Sequence, residues 1–327
     1  MSGVRLSRAE ELSEFVRMHR DVVERHTGRI SSIQMVSGGL VNYVYRIVGE
    51  NGTVIAKLRK SEFSKLPEIH INPHDIANES AAIVQLHTEF PEVFPRQIAF
   101  YPDRSMLILT EIMREEHNLQ SKLDNGEIDI KIAMELGRQI AHIHIRFENV
   151  DVPIRKGGDE EYYSQNLLYR FGYHNNTVLN VLIDDLGNMP RQLILGDLSP
   201  KNIGVDNSGK VHICDLENVH IGNAVFDLGF LAGHFLIHTL RDADKASSLL
   251  ESLLGGYSSV RFTMDTGGEI LKRIVLGTIL YRLDNQIIPY GSGMSNVERE
   301  AVATNAKAAL LRTPGSWHDI VMVLRSR

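Results

Sequence analysis

Asp197 and Asn202, five positions apart in LGDLSPKN, and Asp215, in the D-x-E triplet Asp215-Leu216-Glu217, form the donor set that phosphoryl transfer to an alcohol requires. A carboxylate must orient the attacking hydroxyl, and hard oxygen ligands must hold the Mg²⁺ that neutralises a triphosphate. Asp197 is therefore the candidate base, and Asn202 and Asp215 are the candidate Mg²⁺ ligands. Glu217 is either a further ligand, direct or through water, or a carboxylate placed behind the ligands. An Asp ahead of Ser199-Pro200 would by itself read as a turn cap, but the Asn downstream and the D-x-E triplet weigh against that.

A nucleotide-side counterpart lies upstream. Ser37-Gly38-Gly39 separates two strand-like runs and is followed by Asn42 and, on the next strand but one, by Lys57. Glycines in such a loop let backbone N–H groups approach phosphates without a Cβ in the way. Lys57 follows three apolar residues in VIAK and suits pairing with the α- and β-phosphates of ATP and with a helix Glu, for which Glu79 is the candidate. An exposed strand lysine and a first-turn Glu favoured by the helix dipole are the competing accounts. Leu109-Thr110-Glu111-Ile112 is the candidate hinge, where backbone groups of Thr110, Glu111 and Ile112 would meet the adenine edge; an ordinary strand end is the alternative.

These residues need elements to hold them. Ser7 and Glu10 form an S-x-x-E capping box before a helical pattern that runs to Gly28. The period then shortens: runs 33–36, 43–48, 54–58, 98–101 and 106–112 read as strands, with hairpin turns at Gly49-Glu50-Asn51-Gly52 and Pro102-Asp103 and a helix around 78–87. This predicts a small α+β N-terminal lobe, 1–113, with an antiparallel sheet, followed by a larger and mainly helical lobe, 114–327. In the second lobe Ile132, Leu136, Ile140, Ile143 and Phe147 share one helical stripe, and 270–283 is apolar nearly all round and predicted to be buried. Residues 157–176 read as a surface helix with a variable loop. Short strands at 193–195, 203–205 and 211–214, with a turn at Asn207-Ser208-Gly209, frame the acidic motif.

Composition narrows the class. With 327 residues, 43% hydrophobic and 23% charged, the chain is an ordinary globular one with room for two lobes. A net charge of -6 and the lack of any basic run argue against a nucleic-acid partner. The single cysteine, Cys214, rules out an internal disulfide framework and fits a reducing compartment. The charged N-terminus carries no signal-peptide core, and no run approaches the ~20 apolar residues of a membrane span, so a soluble, cytoplasmic protein is expected. Nothing in the sequence bears on oligomeric state.

The motifs SGGLVNYVYRI, VIAK, NESAAIVQLH, LTEI, ELGRQIAHIH, GDLSPKN, DLEN and FDLGFL are each short, but their order over roughly residues 31–290 resembles the aminoglycoside phosphotransferase and choline kinase superfamily. The D-x-E triplet is similar to that of methylthioribose kinase or choline kinase, and the LTEI hinge, with the RQIAFYPDRSMLIL run before it, is similar to methylthioribose kinase. The resemblance implies a bilobal protein-kinase-like fold, a nucleotide-binding N-terminal lobe and ATP-dependent, Mg²⁺-dependent transfer of the γ-phosphoryl group to a hydroxyl of a sugar, amino alcohol or aminoglycoside-like molecule. It implies an acceptor pocket in the C-terminal lobe, for which Arg282 and Asp284 are the candidates, and a structural role for Asp227 beneath the catalytic loop. One departure stands out: the family's His two residues before the catalytic Asp is Leu195, which predicts a loop held by packing alone. A nucleotide-binding regulatory protein with little or no turnover would also account for Leu195. A protein kinase fits less well, because only eleven residues separate Asp215 from Asp227 and no A-P-E follows. His234 and His238, at i and i+4, have a zinc-compatible spacing with no third ligand in view.

Overall fold

The computed structural model describes residues 14, 16–36, 41–149, 155, 158–206, 209–285, 290, 293–312 and 315–326. The capping box at Ser7 and Glu10, the Ser37-Gly38-Gly39 loop and the Asn207-Ser208 turn lie outside them. The chain divides into two compact units, Met1–Ile112 and Met113–Arg327.

The first unit is built on a five-stranded antiparallel sheet of spatial order β1-β2-β3-β5-β4. Its parts are helix α1 (Arg20–Thr27), β1 (Ile30–Met35), β2 (Tyr43–Gly49), β3 (Thr53–Leu58), helix α2 (Ile76–Glu89), β4 (Gln97–Tyr101) and β5 (Met106–Thr110). Strand alternation sorts the side chains into two faces. Tyr43, Tyr45 and Ile47 of β2 join Val54, Ala56 and Leu58 of β3 and Met106 and Ile108 of β5 in one core, which Val23 of α1 completes. Lys57, between Ala56 and Leu58, is thereby sent to the opposite face, with Leu107 of β5 as its cross-strand partner.

The second unit is mainly helical: α3 (Leu119–Asp124), α4 (Ile130–Arg146), α5 (Asp159–Phe171), α6 (Thr177–Asn188), α7 (Ala224–Thr239), α8 (Ala243–Val260), α9 (Glu269–Leu283), α10 (Asn296–Arg312) and α11 (Trp317–Arg325). Two short antiparallel pairs interrupt the helices. Strands β6 (Gln192–Ile194) and β9 (His220–Gly222) pair, as do β7 (Ile203–Val205) and β8 (Val211–Ile213). Every residue of α7 is buried, and α9 is buried along most of its length, as the apolar run 270–283 predicts. Helices α4 and α8 touch backbone to backbone, because a Cβ on Gly137 or on Gly256 would run into the carbonyl of Leu253 or of Met134. That approach brings His144 of α4 against Tyr257 of α8.

Helix α5 departs from the surface helix expected for this stretch. Tyr163, Asn166, Leu167, Arg170 and Phe171 are all buried. They recur at helical spacing, so the polar Asn166 and Arg170 belong to the buried stripe.

Candidate active site

In the first unit the register of β3 and the first turn of α2 bring together two charges that the sequence separates by 22 positions. Lys57 Nζ donates to Glu79 Oε1 at 2.5 Å, and both side chains are buried. Glu79 Oε2 lies 4.0 Å from Arg59 Nη2, and Arg59 Nε donates to Asn42 Oδ1 at 2.8 Å. Asn42, Lys57 and Glu79 thus belong to one buried polar cluster, with Arg59 as a member that sequence reasoning missed. The i, i+2 alternation from Lys57 was the available signal. A buried pair of this kind is weak evidence for stability, but breaking it leaves an uncompensated charge. Glu111 faces another partner: Arg46 Nη2 donates to its Oε2 at 3.0 Å. The Thr110 hydroxyl accepts from the Arg96 backbone N–H at 2.9 Å, so neither side chain at the predicted hinge joins the Lys57 cluster.

In the second unit the loop after β6 carries Asp197. Asn202 Nδ2 donates to the Asp197 backbone carbonyl and to Asp197 Oδ2, each at 3.3 Å, while Ser199 Oγ donates to Asp197 Oδ1. With its amide nitrogen committed to Asp197, Asn202 keeps Oδ1 as the side-chain oxygen not used in that contact. The β7–β8 hairpin pairs Ile203 with Ile213, and Cys214 N–H donates to the Asn202 carbonyl at 2.9 Å. Asp215, the next residue, therefore follows Asn202's cross-strand neighbour at the same end of the hairpin. Asp215 also holds a left-handed backbone, φ 61° and ψ 61°, which costs a residue with a Cβ about 1–3 kcal/mol and is a feature of functional sites. Glu217 begins one residue into the short helical turn Leu216–Asn218, and its backbone carbonyl accepts from Arg155 Nη2.

No group of three or more His, Cys, Asp or Glu placed for a metal exists among the described residues. A mixed Asn–Asp set is still suited to Mg²⁺, which takes one or two protein oxygens and completes its shell with phosphates and water. His234 and His238 do not share a ligand: His234 Nδ1 meets the Phe230 carbonyl at 2.7 Å, and His238 bridges Asp124 Oδ1 and the Tyr290 hydroxyl, each at 2.7 Å.

The loop is anchored from α7, and here the expectation from Leu195 is corrected. Leu195 N–H donates to Asp227 Oδ2 at 2.6 Å and Gly196 N–H to Asp227 Oδ1 at 2.8 Å. The identity of side chain 195 is irrelevant to these bonds because the backbone makes them. Asp227 Oδ2 also lies 3.2 Å from His144 Nε2, and His144 Nδ1 lies 2.9 Å from the Tyr257 hydroxyl; burial pushes that phenol up to about 12. From the other side Arg170 Nη2 donates to the Gly196 carbonyl at 2.9 Å. Gly196 itself has φ 74°, and a Cβ there would run into the Asn218 carbonyl and the His220 ring. Gly196→Ala is therefore expected to lower stability by about 1–3 kcal/mol, read as a lower urea midpoint. An unchanged midpoint would mean the loop is not held in this conformation.

The two acceptor candidates part company. Arg282 Nη2 donates to Ser199 Oγ at 3.2 Å and lies 3.5 Å from Asp197 Oδ1. Asp284 turns elsewhere, 2.9 Å from Lys307 Nζ and 3.6 Å from His174 Nδ1. Residues two apart on a helix do not share a face, and Asp284 caps α9 just where Arg282 points inward. Of the two candidates, Arg282 is thus the one beside Asp197.

No protein-family model matches the chain, and no curated protein matches it by sequence. Solved structures do match. The choline kinase LicA from Streptococcus pneumoniae aligns with a TM-score of 0.55 at 15% identity, covering 91% of this chain and 99% of its own. The amicoumacin kinase hAmiN, in complex with AMP-PNP, Ca²⁺ and Ami, aligns at 0.53 and 12% identity, covering 97% and 100%. A thermostable aminoglycoside phosphotransferase mutant, in a ternary complex with AMP-PNP and hygromycin B, aligns at 0.53 and 13%, covering 90% and 97%. The chain has the protein-kinase-like fold. Within that fold the antiparallel sheet is the N-terminal part and the helical unit the C-terminal part, as the order of the motifs predicts. No helix among the described residues is long and apolar enough to cross a membrane.

Proposed function

We propose that this protein is an ATP-dependent small-molecule kinase that moves the γ-phosphoryl group of ATP to a hydroxyl of its acceptor. The observation that carries the reading is the Asp197 loop: a carboxylate held by Asn202 and Ser199, on a backbone tied down by Asp227. Asp197 orients the acceptor hydroxyl and takes its proton. Asn202 Oδ1 and Asp215 hold Mg²⁺, with Glu217 as a further ligand or a carboxylate behind them. When bound, Mg²⁺ supplies charge neutralisation on the phosphates. The unit 1–113 is the nucleotide-binding lobe, in which Lys57, fixed by Glu79, meets the α- and β-phosphates and Ser37-Gly38-Gly39 serves as the phosphate-binding loop. Asn42 shares that cluster through Arg59, and the backbone of Thr110, Glu111 and Ile112 meets the adenine. The unit 114–327 carries catalysis and the acceptor. Transfer through a loose transition state asks mainly for positioning and electrostatic stabilisation, which these groups can provide without covalent chemistry. The AMP-PNP in two of the similar structures, and the Ca²⁺ in one of them, support the choice of ATP and a divalent cation.

Calorimetric titration with AMP-PNP tests the nucleotide half. Binding is expected only with Mg²⁺ present. Lys57→Met is expected to weaken it by roughly tenfold or more, the loss of a charge-assisted hydrogen bond. That variant also leaves buried Glu79 with only the more distant Arg59 as a cation, at a cost of up to about 3–5 kcal/mol, so Lys57→Met with Glu79→Leu serves as the folded control. Nucleotide binding that ignores both Mg²⁺ and Lys57 would contradict the assignment.

A further inference from the structure

We propose that His234 is a positioning residue for the phosphoryl transfer: it sets the plane of the Arg282 guanidinium, and Arg282 in turn aims the Asp197 carboxylate. The inference rests on the kinase reading and adds to it the device that holds the base.

Helix packing brings these residues into line. Gly229 and Gly233, one turn apart on α7, lie so close to α9 that a Cβ on either would run into Ile274 or Thr278. Ile274, Thr278 and Arg282 recur every four residues and so form one stripe of α9. The next turn of that stripe sets Arg282 against His234.

Both ring nitrogens of the fully buried His234 are engaged. Nδ1 faces the Phe230 carbonyl at 2.7 Å and so carries the proton, which leaves Nε2 with a lone pair. Arg282 Nε donates to that lone pair at 2.8 Å. Burial first, and then the Arg282 charge, hold the His234 pKa well below its usual value, so the ring stays a neutral acceptor.

A guanidinium is planar and rigid, so fixing Nε fixes the direction of its other nitrogens. Nη2 donates to Ser199 Oγ at 3.2 Å and lies 3.5 Å from Asp197 Oδ1, the oxygen that also accepts from Ser199. The Tyr290 ring covers the guanidinium, its centroid 4.9 Å from Arg282 Cζ. That ring is itself secured: its hydroxyl meets His238 Nε2, and His238 Nδ1 meets Asp124 Oδ1. Burial raises the Tyr290 phenol, which stays protonated. The i, i+4 spacing of the two histidines thus serves to hold Arg282, His234 at its Nε and His238 through the ring on its face.

Without Nε2 the Arg282 side chain keeps its charge and loses the bond that sets its plane. A misplacement of about 1 Å in the groups that position a reaction can cost about 10²-fold in rate. The rival role for Arg282 is a contact to the acceptor. Water as the acceptor separates the two, since water needs no such contact.

The test is ADP release by the full-length protein from Mg²⁺-ATP with water as the acceptor, with Asp197→Ala setting the background. His234→Leu is expected to lower kcat by roughly 10–10²-fold while KM for Mg²⁺-ATP stays within a small factor. His234→Gln, whose amide oxygen can accept from Arg282, is expected to recover most of that loss. Arg282→Met is expected to lose as much as His234→Leu or more, and the double variant no more than Arg282→Met alone. Thermal melts confirm that each variant folds. If His234→Leu does not, Arg282→Met against His234→Gln carries the comparison. In the same samples ¹⁵N NMR reads exchange of the Arg282 Nε–H, expected to be slow in the unaltered chain and in His234→Gln and fast in His234→Leu.

The proposal is overturned if His234→Leu or Arg282→Met leaves kcat unchanged, if the single losses multiply in the double variant, or if His234→Gln is as slow as Arg282→Met. Failure of every form to release ADP would instead count against the kinase reading. The Arg282 Nε–H then decides the positioning arrangement by itself, and fast exchange in the unaltered chain overturns it.

Discussion

Asp197→Ala is expected to lower acceptor-stimulated ADP release by about 10²–10⁴-fold, the usual contribution of a positioned acid–base group. Its carboxylate is fixed on three sides, by Ser199 Oγ, Asn202 Nδ2 and the Arg282 guanidinium, so its geometry is set before substrate arrives. Asp197→Asn keeps the shape and removes the charge and basicity, and a loss of similar size is expected. Neither variant should change the Mg²⁺-dependent affinity for AMP-PNP by more than a small factor, because Lys57, the proposed phosphate contact, lies in the first unit. A rate that survives either change would remove Asp197 from the chemistry.

The second large effect is on the scaffold. Asp227→Ala is expected to destabilise the protein by about 3–5 kcal/mol, the cost of breaking a fully buried charged constellation. Two backbone N–H groups, of Leu195 and Gly196, would lose their acceptor, and His144 would lose its partner in a place with no water. Against a total stability of about 5–15 kcal/mol this is a large share. Asp227→Asn keeps one oxygen acceptor and is expected to cost less. The folded fraction should also turn over more slowly, since Asp197 sits one residue beyond the tethered pair. Urea denaturation reads the first effect. A midpoint for Asp227→Ala within experimental error of the unaltered chain would show that the carboxylate does not hold the loop.

How much of this was legible in the sequence depended on how local each signal was. The sheet of the first unit announced itself by two-residue alternation and by turn residues, and the strands fall where those runs lie, within a few residues. The loop motif was visible because Asp197, Asn202 and Asp215 sit on one short stretch whose hairpin joins them. The pairing of Lys57 with Glu79 could be guessed, since a strand lysine and a first-turn glutamate each had a reason to face inward.

Long-range polar contacts were harder. His144 and Tyr257 meet only because two glycines let α4 and α8 touch, and nothing near His144 in the sequence encodes Tyr257. Arg170 was hidden by its acidic and aromatic neighbours, although its place on the stripe of Tyr163 and Leu167 was a usable clue. Leu195 misled for a different reason: a side-chain departure drew attention while the holding bonds belonged to the backbone. Asp284 shows the limit of adjacency, because two positions along a helix reverse the direction a side chain faces.

The most direct test of the central claim is ADP release by the purified protein with Mg²⁺ and ATP across hydroxy acids, sugar phosphates, sugars, amino alcohols and aminoglycosides. The account predicts that one of these classes stimulates release and that Asp197→Ala abolishes the stimulation. Mg²⁺-ATP that neither binds nor yields ADP with any of them would contradict it.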